Sequence, residues 1–347
     1  MKKNKTILVV AVVLGLIAAF FIYNNRNSTV KEALRDFAVQ DTASITKIFL
    51  ADKSGNAVTL AKENGSWMVN GKFRAQEEAV QNFLITIRSL AVKTRVAKAG
   101  YNNVIKELAS TGIKCEIYLH DADSPSKIIY VGGSTADVLG TFMILDGSSQ
   151  PFVVEIPGFQ GYLTPRFSPR EKDWREMKVF SYSPQAIRSI QLLYSTFPAK
   201  SFMIEKSGTN YIVSSPVTKN TIAHPDTIAI ENYLDYFRSL SFENWSSELD
   251  ERQLDSLRNT EPVNMVTVTD TSGIARSMAV YSKAMTRESL ARTDSSGNPL
   301  KYDPDRMFAI LSSENELVTI QRYVFGKIFR QLDDFNLDKL ALRQKAR

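Results

Sequence analysis

The sequence predicts an α+β protein with an N-terminal transmembrane helix followed by two tandem, structurally similar α+β modules. Three observations predict it: an unbroken apolar run near the N-terminus, a repeat about 150 residues apart, and strand and helix patterns that come in blocks rather than alternating.

The anchor comes first. Lys2, Lys3 and Lys5 precede an apolar run from Ile7 to Tyr23, which Asn24-Asn25-Arg26-Asn27 ends. Seventeen residues at ~1.5 Å each span roughly 26 Å, the short end of what a bilayer core needs. A cleaved signal peptide has an apolar region of about 7–15 residues closed by a small-x-small site. Here Ala18-Ala19 runs on into Phe20-Phe21-Ile22-Tyr23, so residues 1–27 are read as an uncleaved signal anchor. Arg26, Lys31 and Arg35 nearly balance the three N-terminal lysines. The leading lysines and the α-amine tip the rule toward a cytoplasmic N-terminus and an extracytoplasmic bulk, periplasmic at the inner membrane.

The repeat is clearest in A-V-Q-N-F-L-I-T-I-R-S-L (79–90) and A-I-E-N-Y-L-D-Y-F-R-S-L (229–240), which are identical at six of twelve positions. Val80/Ile230, Phe83/Tyr233 and Ile87/Phe237 match in kind. With Leu84/Leu234 they fall at i, i+3, i+4, i+7, one buried face of a helix. Upstream, Ser44–Ile48 answers to Ala186–Ile190. Downstream, 105–121 lies over 254–270 at one offset, setting Cys115 against Asn264 and His120 against Thr269. Each copy reads strand, strand, strand, helix, helix, four strands and a closing helix. The alternation Ile113, Cys115, Ile117, Leu119 marks a strand with one buried face. The domains follow: a first module over 28–163, a basic and aromatic joint over 164–178, and a second module over 179–347 with an inserted loop, 282–304. Each module is long enough to bury its own core.

Composition narrows the function. The formal charge of +6 falls to +3 without the three anchor lysines, too mild for the clustered basic footprint of a nucleic-acid binder. One cysteine permits no internal disulfide, and the C-terminal Lys339, Arg343, Lys345 and Arg347 read as a solvated tail. Cys115 faces inward on its strand, as a structural thiol does. With His120 and His224 far apart and no metal-ligand spacing, no metal site is expected. Ser124–Lys127 and Ser44–Lys47 spell S-x-x-K away from any helix start, and Val131–Thr135 lacks the glycine spacing of a phosphate cradle. Asp303-Pro304-Asp305-Arg306 reads as a turn rather than a carboxylate pair. No catalytic residue, cofactor or small-molecule substrate is identified.

Two stretches look different between the copies. The insertion 282–304 is polar and bears Gly and Pro. The joint T-P-R-F-S-P-R-E-K-D-W-R-E-M-K (164–178) concentrates Arg166, Phe167, Arg170, Trp174 and Arg175. Trp and Arg anchor interfaces, so these five are the candidate partner-binding residues. The alternative is a linker whose aromatics pack inward.

D-T-A-S-I-T-K-I-F-L-A-D-K (41–53), G-S-W-M-V-N-G-K (65–72), D-W-R (173–175) and Y-D-P-D-R-M (302–307) resemble an uncharacterised membrane-anchored family carrying a domain of unknown function. Its members are often encoded beside gliding-type ABC transporter subunits in Gram-negative bacteria. The resemblance implies an envelope role, auxiliary to a transporter or surface-assembly machine, and transfers no catalytic residue. Together these readings predict a non-enzymatic single-pass envelope protein whose modules bind protein partners. A periplasmic glycan- or peptidoglycan-binding module is the alternative, and a hydrolase with an unrecognised site the next.

Overall fold

The structure, a computed structural model, describes residues 34–285, 292–312 and 315–338 together with Gly15. It divides into two units, Met1–Glu176 and Met177–Arg347.

In the first unit the strands are β1 (Ile45–Ala51), β2 (Ala57–Glu63), β3 (Ser66–Val69), β4 (Phe73–Arg74), β5 (Ala91–Arg95), β6 (Ile113–Leu119), β7 (Lys127–Ser134), β8 (Thr141–Leu145) and β9 (Phe152–Glu155). Helix α1 (Glu77–Ser89) stands between β4 and β5, and α2 (Lys98–Thr111) between β5 and β6. All nine strands join one antiparallel sheet in the order β4-β3-β2-β1-β6-β7-β8-β9-β5. Turn chemistry sets the hairpins. Asn64-Gly65 links β2 to β3 with both residues at positive φ (49° and 81°), as a tight two-residue hairpin requires.

In the second unit β10 (Lys178–Phe180) pairs with β14 (Leu240–Ser241) in a small sheet of its own. The large sheet holds β11 (Ile187–Tyr194), β12 (Phe202–Ser207), β13 (Asn210–Ser214), β15 (Asn244–Trp245), β16 (Asn264–Asp270), β17 (Ala275–Ala284), β18 (Tyr302–Leu311) and β19 (Leu317–Gln321). Its order is β13-β12-β11-β16-β17-β18-β19-β15. Helices α3 (Thr227–Asp235), α4 (Glu251–Arg258) and α5 (Arg322–Phe325) complete the unit.

Strand for strand, this order repeats that of the first sheet, with β4 as the extra member. The repeat extends to an irregularity: the register shifts between Ile45 and Lys47 in β1 and between Ile187 and Ser189 in β11. A bulge at the same place in both copies fixes the equivalence of the neighbouring strands. Ile48 pairs with Ile117 and Ile190 with Val268, so Cys115 answers to Val266 and Ile113 to Asn264, two residues from the correspondence read off the sequence. An even slip keeps every side chain on its face, which is why the alternation looked consistent.

The fold class is mostly β, not α+β: nineteen strands in three antiparallel sheets stand against five α-helices among the described residues. The physical reason lies in strands that carry no apolar signature. Ala91-Val92-Lys93-Thr94-Arg95 separates α1 from α2 and pairs with β9 at a sheet edge, where Lys93, Thr94 and Arg95 face solvent. Such an edge strand reads as a helix-to-helix connection. Among the described residues no helix is long and apolar enough to cross a membrane. The Ile7–Tyr23 run lies outside those residues apart from Gly15, as do 286–291 of the inserted loop and the run from Lys339 onward.

Each unit buries one sheet face beneath its first helix. In α1, Val80, Phe83, Leu84 and Ile87 pack on Ile48, Leu60, Ile117, Ile129 and Val154. In α3 and the turn after it, Ile230, Tyr233, Leu234 and Phe237 pack on Ile190, Val268, Val280 and Ile320. The second helix attends to the other face. Gly132 of β7 lets Leu108 of α2 close in, since a Cβ there would stand 2.9 Å from the leucine Cδ2. In the second unit Leu254 and Leu257 of α4 cover Tyr281, Phe308, Ile310 and Leu317. The inserted loop begins and ends inside the sheet, because Ser282 pairs with Met307 and Ala284 with Tyr302. It is the far end of the β17–β18 hairpin.

Candidate functional site

After its last sheet strand, each unit sends a closing segment back across its first helix. In the first unit this segment is the joint. Trp174 packs edge-on against Phe83 at 5.3 Å between ring centroids, and Phe167 against the same ring at 5.2 Å. The carbonyl of Trp174 accepts the Gln76 N–H at 2.7 Å, and Arg175 forms a β-bridge with Ala75 just before α1 begins. In the second unit Phe335 packs against Tyr233 at 5.2 Å. Its carbonyl accepts the Asp226 N–H at 2.9 Å, and Asn336 bridges Pro225 just before α3. Phe83 and Tyr233 are repeat partners, so Trp174 and Phe335 are too. The joint is therefore the closing segment of the first module, and Arg330–Asn336 is its counterpart.

The five candidate residues part company here. Phe167 and Trp174 are buried, at 0% and 4% exposure, inside the first core, and the Trp174 Nε1–H donates to the Ser168 carbonyl at 2.8 Å. Arg175 is buried as well, its guanidinium 3.6 Å from the centroid of Phe73 and 3.3 Å from Glu171 Oε1. A charge so enclosed needs both the carboxylate and the ring face. Arg170 is exposed and holds Asp173 at 2.8 Å. Arg166 is half-buried, stacks 4.7 Å from the centroid of Phe159 and donates to Thr86 Oγ1 at 3.0 Å. This burial favours packing over docking for the aromatic pair and leaves Arg166 and Arg170 facing outward.

Between helix and closing segment each unit has a cleft. The first, about 280 Å³, is lined by Ala79, Asn82, Phe83, Thr86, Pro165, Arg166, Ser168, Asp173 and Trp174. The second, about 360 Å³, is lined by Ala229, Asn232, Tyr233, Tyr236, Arg330, Asp334 and Phe335. The linings correspond: the repeated Ala and Asn, an aromatic from the helix, an aromatic from the closing segment, an Asp and an Arg. Asp173 is occupied by Arg170 and Ser168, while Asp334 accepts the Gln331 N–H at 3.0 Å. The Tyr233 hydroxyl donates to the Ile328 carbonyl at 3.0 Å, and burial pushes its ionisation far up, so it serves as a neutral donor. Asn82 and Asn232 are exposed, and neither side-chain amide has a partner among the described residues.

The remaining sequence candidates lie elsewhere. Cys115 is fully buried and its thiol is raised by desolvation, which removes the thiolate a nucleophile needs. His120 sits in a left-handed turn at φ 53° after β6, and His224 Nδ1 lies 3.0 Å from Asp338. Asp303-Pro304-Asp305-Arg306 lies within β18 rather than in a turn, at the register shift opposite Ser282–Ala284, where Asp303 accepts the N–H groups of Asp305 and Arg306 and Arg306 clasps Glu243 through two bonds of 2.8 Å. No group of three or more His, Cys, Asp or Glu that could hold a metal ion occurs among the described residues.

The model of a family defined by a domain of unknown function, DUF4340, matches residues 67–257. That is more than half of the chain. The chain belongs to the DUF4340 family. The match runs from β3 of the first unit to α4 of the second, taking in both cleft helices and the whole lining of the first cleft. No curated protein and no solved structure matches the chain. What distinguishes this DUF4340 chain locally is thus its own internal comparison. Sequence reasoning found the Asn82/Asn232 identity but did not separate it from the buried stripe around it, because exposure is invisible in a list of matched residues.

Proposed function

We propose that this is a non-enzymatic envelope protein whose two modules bind protein partners. Its apolar Ile7–Tyr23 run would hold it as a single-pass protein at the inner membrane with the bulk of the chain periplasmic. An auxiliary role beside an ABC-type transporter or a surface-assembly machine follows from the family resemblance in the sequence motifs. The observation that carries the binding reading is the pair of clefts, built at the same place in each unit from corresponding residues. Two shallow sites with aromatic floors and a few convergent polar groups suit recognition of a protruding segment better than enclosure of a substrate.

The glycan alternative meets an obstacle in the same clefts. Sugar recognition uses an open aromatic face, whereas Phe83, Trp174, Tyr233 and Phe335 are each at most 4% exposed and meet edge to face.

The test is crosslinking in intact cells followed by carbonate washing of membranes. The full chain is expected in the washed pellet, with its native N-terminus and joined to envelope proteins. A soluble chain, a mature N-terminus between Ala19 and Val30, or crosslinks to cell-wall material alone would each overturn the corresponding part.

A further inference from the structure

We propose that each cleft takes one extended, acidic peptide segment, whose main chain is read by Asn82 in the first unit and by Asn232 in the second. This rests on the protein-binding reading and adds what is bound and where.

The two copies control for one another. Of the positions identical in the repeated segments 79–90 and 229–240, Leu84/Leu234 in the helices and Leu90/Leu240 just beyond them are buried core residues whose identity the fold explains. Asn82 and Asn232 are exposed, face clefts, and make no hydrogen bond through their side chains to any described residue. Asparagine is a mediocre helix former, so an exposed helical site has no folding reason to hold it twice. Arg88 and Arg238 are also identical and exposed, but line neither of these clefts.

A carboxamide presents one acceptor and a paired donor side by side, complementary to the N–H and C=O of one residue in an extended chain, which point the same way. The ligand class follows from that match and from what surrounds it. The floor offers buried ring edges and the small Ala79 or Ala229, room for the segment to lie against the helix without a stacking platform. At the rim the acids are already engaged: Asp173 by Arg170 and Ser168, Asp334 by the backbone of Gln331. Arg166 donates one bond, to Thr86, and keeps further N–H donors; Arg330 takes the corresponding place in the second cleft. A guanidinium beside a main-chain reader selects a carboxylate on the same segment.

The experiment titrates the purified full-length chain with four probes. These are a short Glu/Ala peptide, its Lys/Ala analogue, the Glu/Ala peptide with N-methylated amides, and a peptidoglycan-derived disaccharide. The expected result is two sites per chain for the acidic peptide, with weak or absent binding of the other three. Asn82→Ala should weaken one site about tenfold and leave the other unchanged. The double variant with Asn232→Ala should weaken acidic-peptide binding about tenfold at each site, the loss of a net hydrogen-bond pair. Because both asparagines are exposed, the melting profile should stay unchanged, and Asn→Gln at both positions provides a second variant with the amide displaced. Unaltered binding in the double variant, equal binding of the basic or N-methylated peptide, no peptide binding at all, or disaccharide binding lost in the double variant would overturn the proposal. Crosslinking in cells separates it from its parent. If wild type and double variant join the same partners, the clefts fall and partner binding stands. If the wild type joins none, the parent reading falls.

Discussion

Replacing Trp174 by alanine tests whether the joint is core or interface. The side chain is 4% exposed, meets Phe83 edge-on at 5.3 Å, and donates one hydrogen bond to the Ser168 carbonyl. Truncating a buried aromatic costs about 3–5 kcal/mol. The ring pair and the orphaned Ser168 carbonyl place Trp174→Ala toward the upper part of that range, since each is worth about 1 kcal/mol. A unit of this size has only about 5–15 kcal/mol to lose. The two units also give an internal control. Native-state hydrogen exchange at the β6 amides of Cys115 and Ile117 should accelerate by about 150-fold or more, as a loss of at least about 3 kcal/mol implies. The β16 amides of Val266 and Val268 should be unaffected. Phe335→Ala should produce the mirror image. If Trp174→Ala leaves β6 protection intact while crosslinked partners disappear, the residue is an interface anchor and the equivalence of the closing segments is wrong.

Leu84→Ala and Leu234→Ala should each cost about 2–5 kcal/mol in their own unit, read from unit-specific exchange; equal loosening of both units by either one would contradict independent cores. Gly65→Ala should cost about 1–2 kcal/mol, because its φ of 81° is left-handed and nothing lies within 4 Å of the added Cβ, leaving conformation as the only penalty; denaturant melts would reveal it. Burial raises the Cys115 thiol above its ordinary value of 9.0, so its contribution to stability is fully present below pH 9 and drains away as the pH climbs past it. Cys115→Val copies the equivalent Val266 and should flatten the alkaline limb of stability against pH in the first unit. An unchanged alkaline limb in that variant would assign the effect to buried tyrosines instead. The native thiol should also resist a disulfide reagent until the first unit unfolds.

What the sequence made legible was periodic. The stripe Val80, Phe83, Leu84, Ile87 and its partner announced two equivalent helices, because 3.6-residue spacing survives substitution of Phe by Tyr or Ile by Phe. The alternation through Ile113–Leu119 announced a strand and its buried face, though the pairing between copies slipped by two. Period-two patterns cannot register such a slip. What stayed hidden had no apolar period. The edge strand Ala91–Arg95 is polar because it is an edge, and its pairing with β9 is set by tertiary structure. The joint seemed unmatched because Lys172-Asp173-Trp174-Arg175 and Asp333-Asp334-Phe335-Asn336 share little beyond one acid and one aromatic. Their likeness is in the backbone bonds they make to the start of a helix. The clefts were hidden for the same reason, since half of each lining comes from those segments.

The closing segments bear on how the chain is made. Each first helix starts at a residue whose backbone N–H is satisfied only by the carbonyl of Trp174 or Phe335, nearly a module's length later. On a ribosome, the start of α1 therefore emerges long before its partner does, and must wait with an open donor and an uncovered Phe83. The first unit can finish once Arg175 is out, while the second is still being translated. The second unit must await its own last described turns. A stop codon around position 330 would thus spare the first unit entirely and leave the second with its helix begun and never sealed, a substrate for proteases rather than a shorter protein.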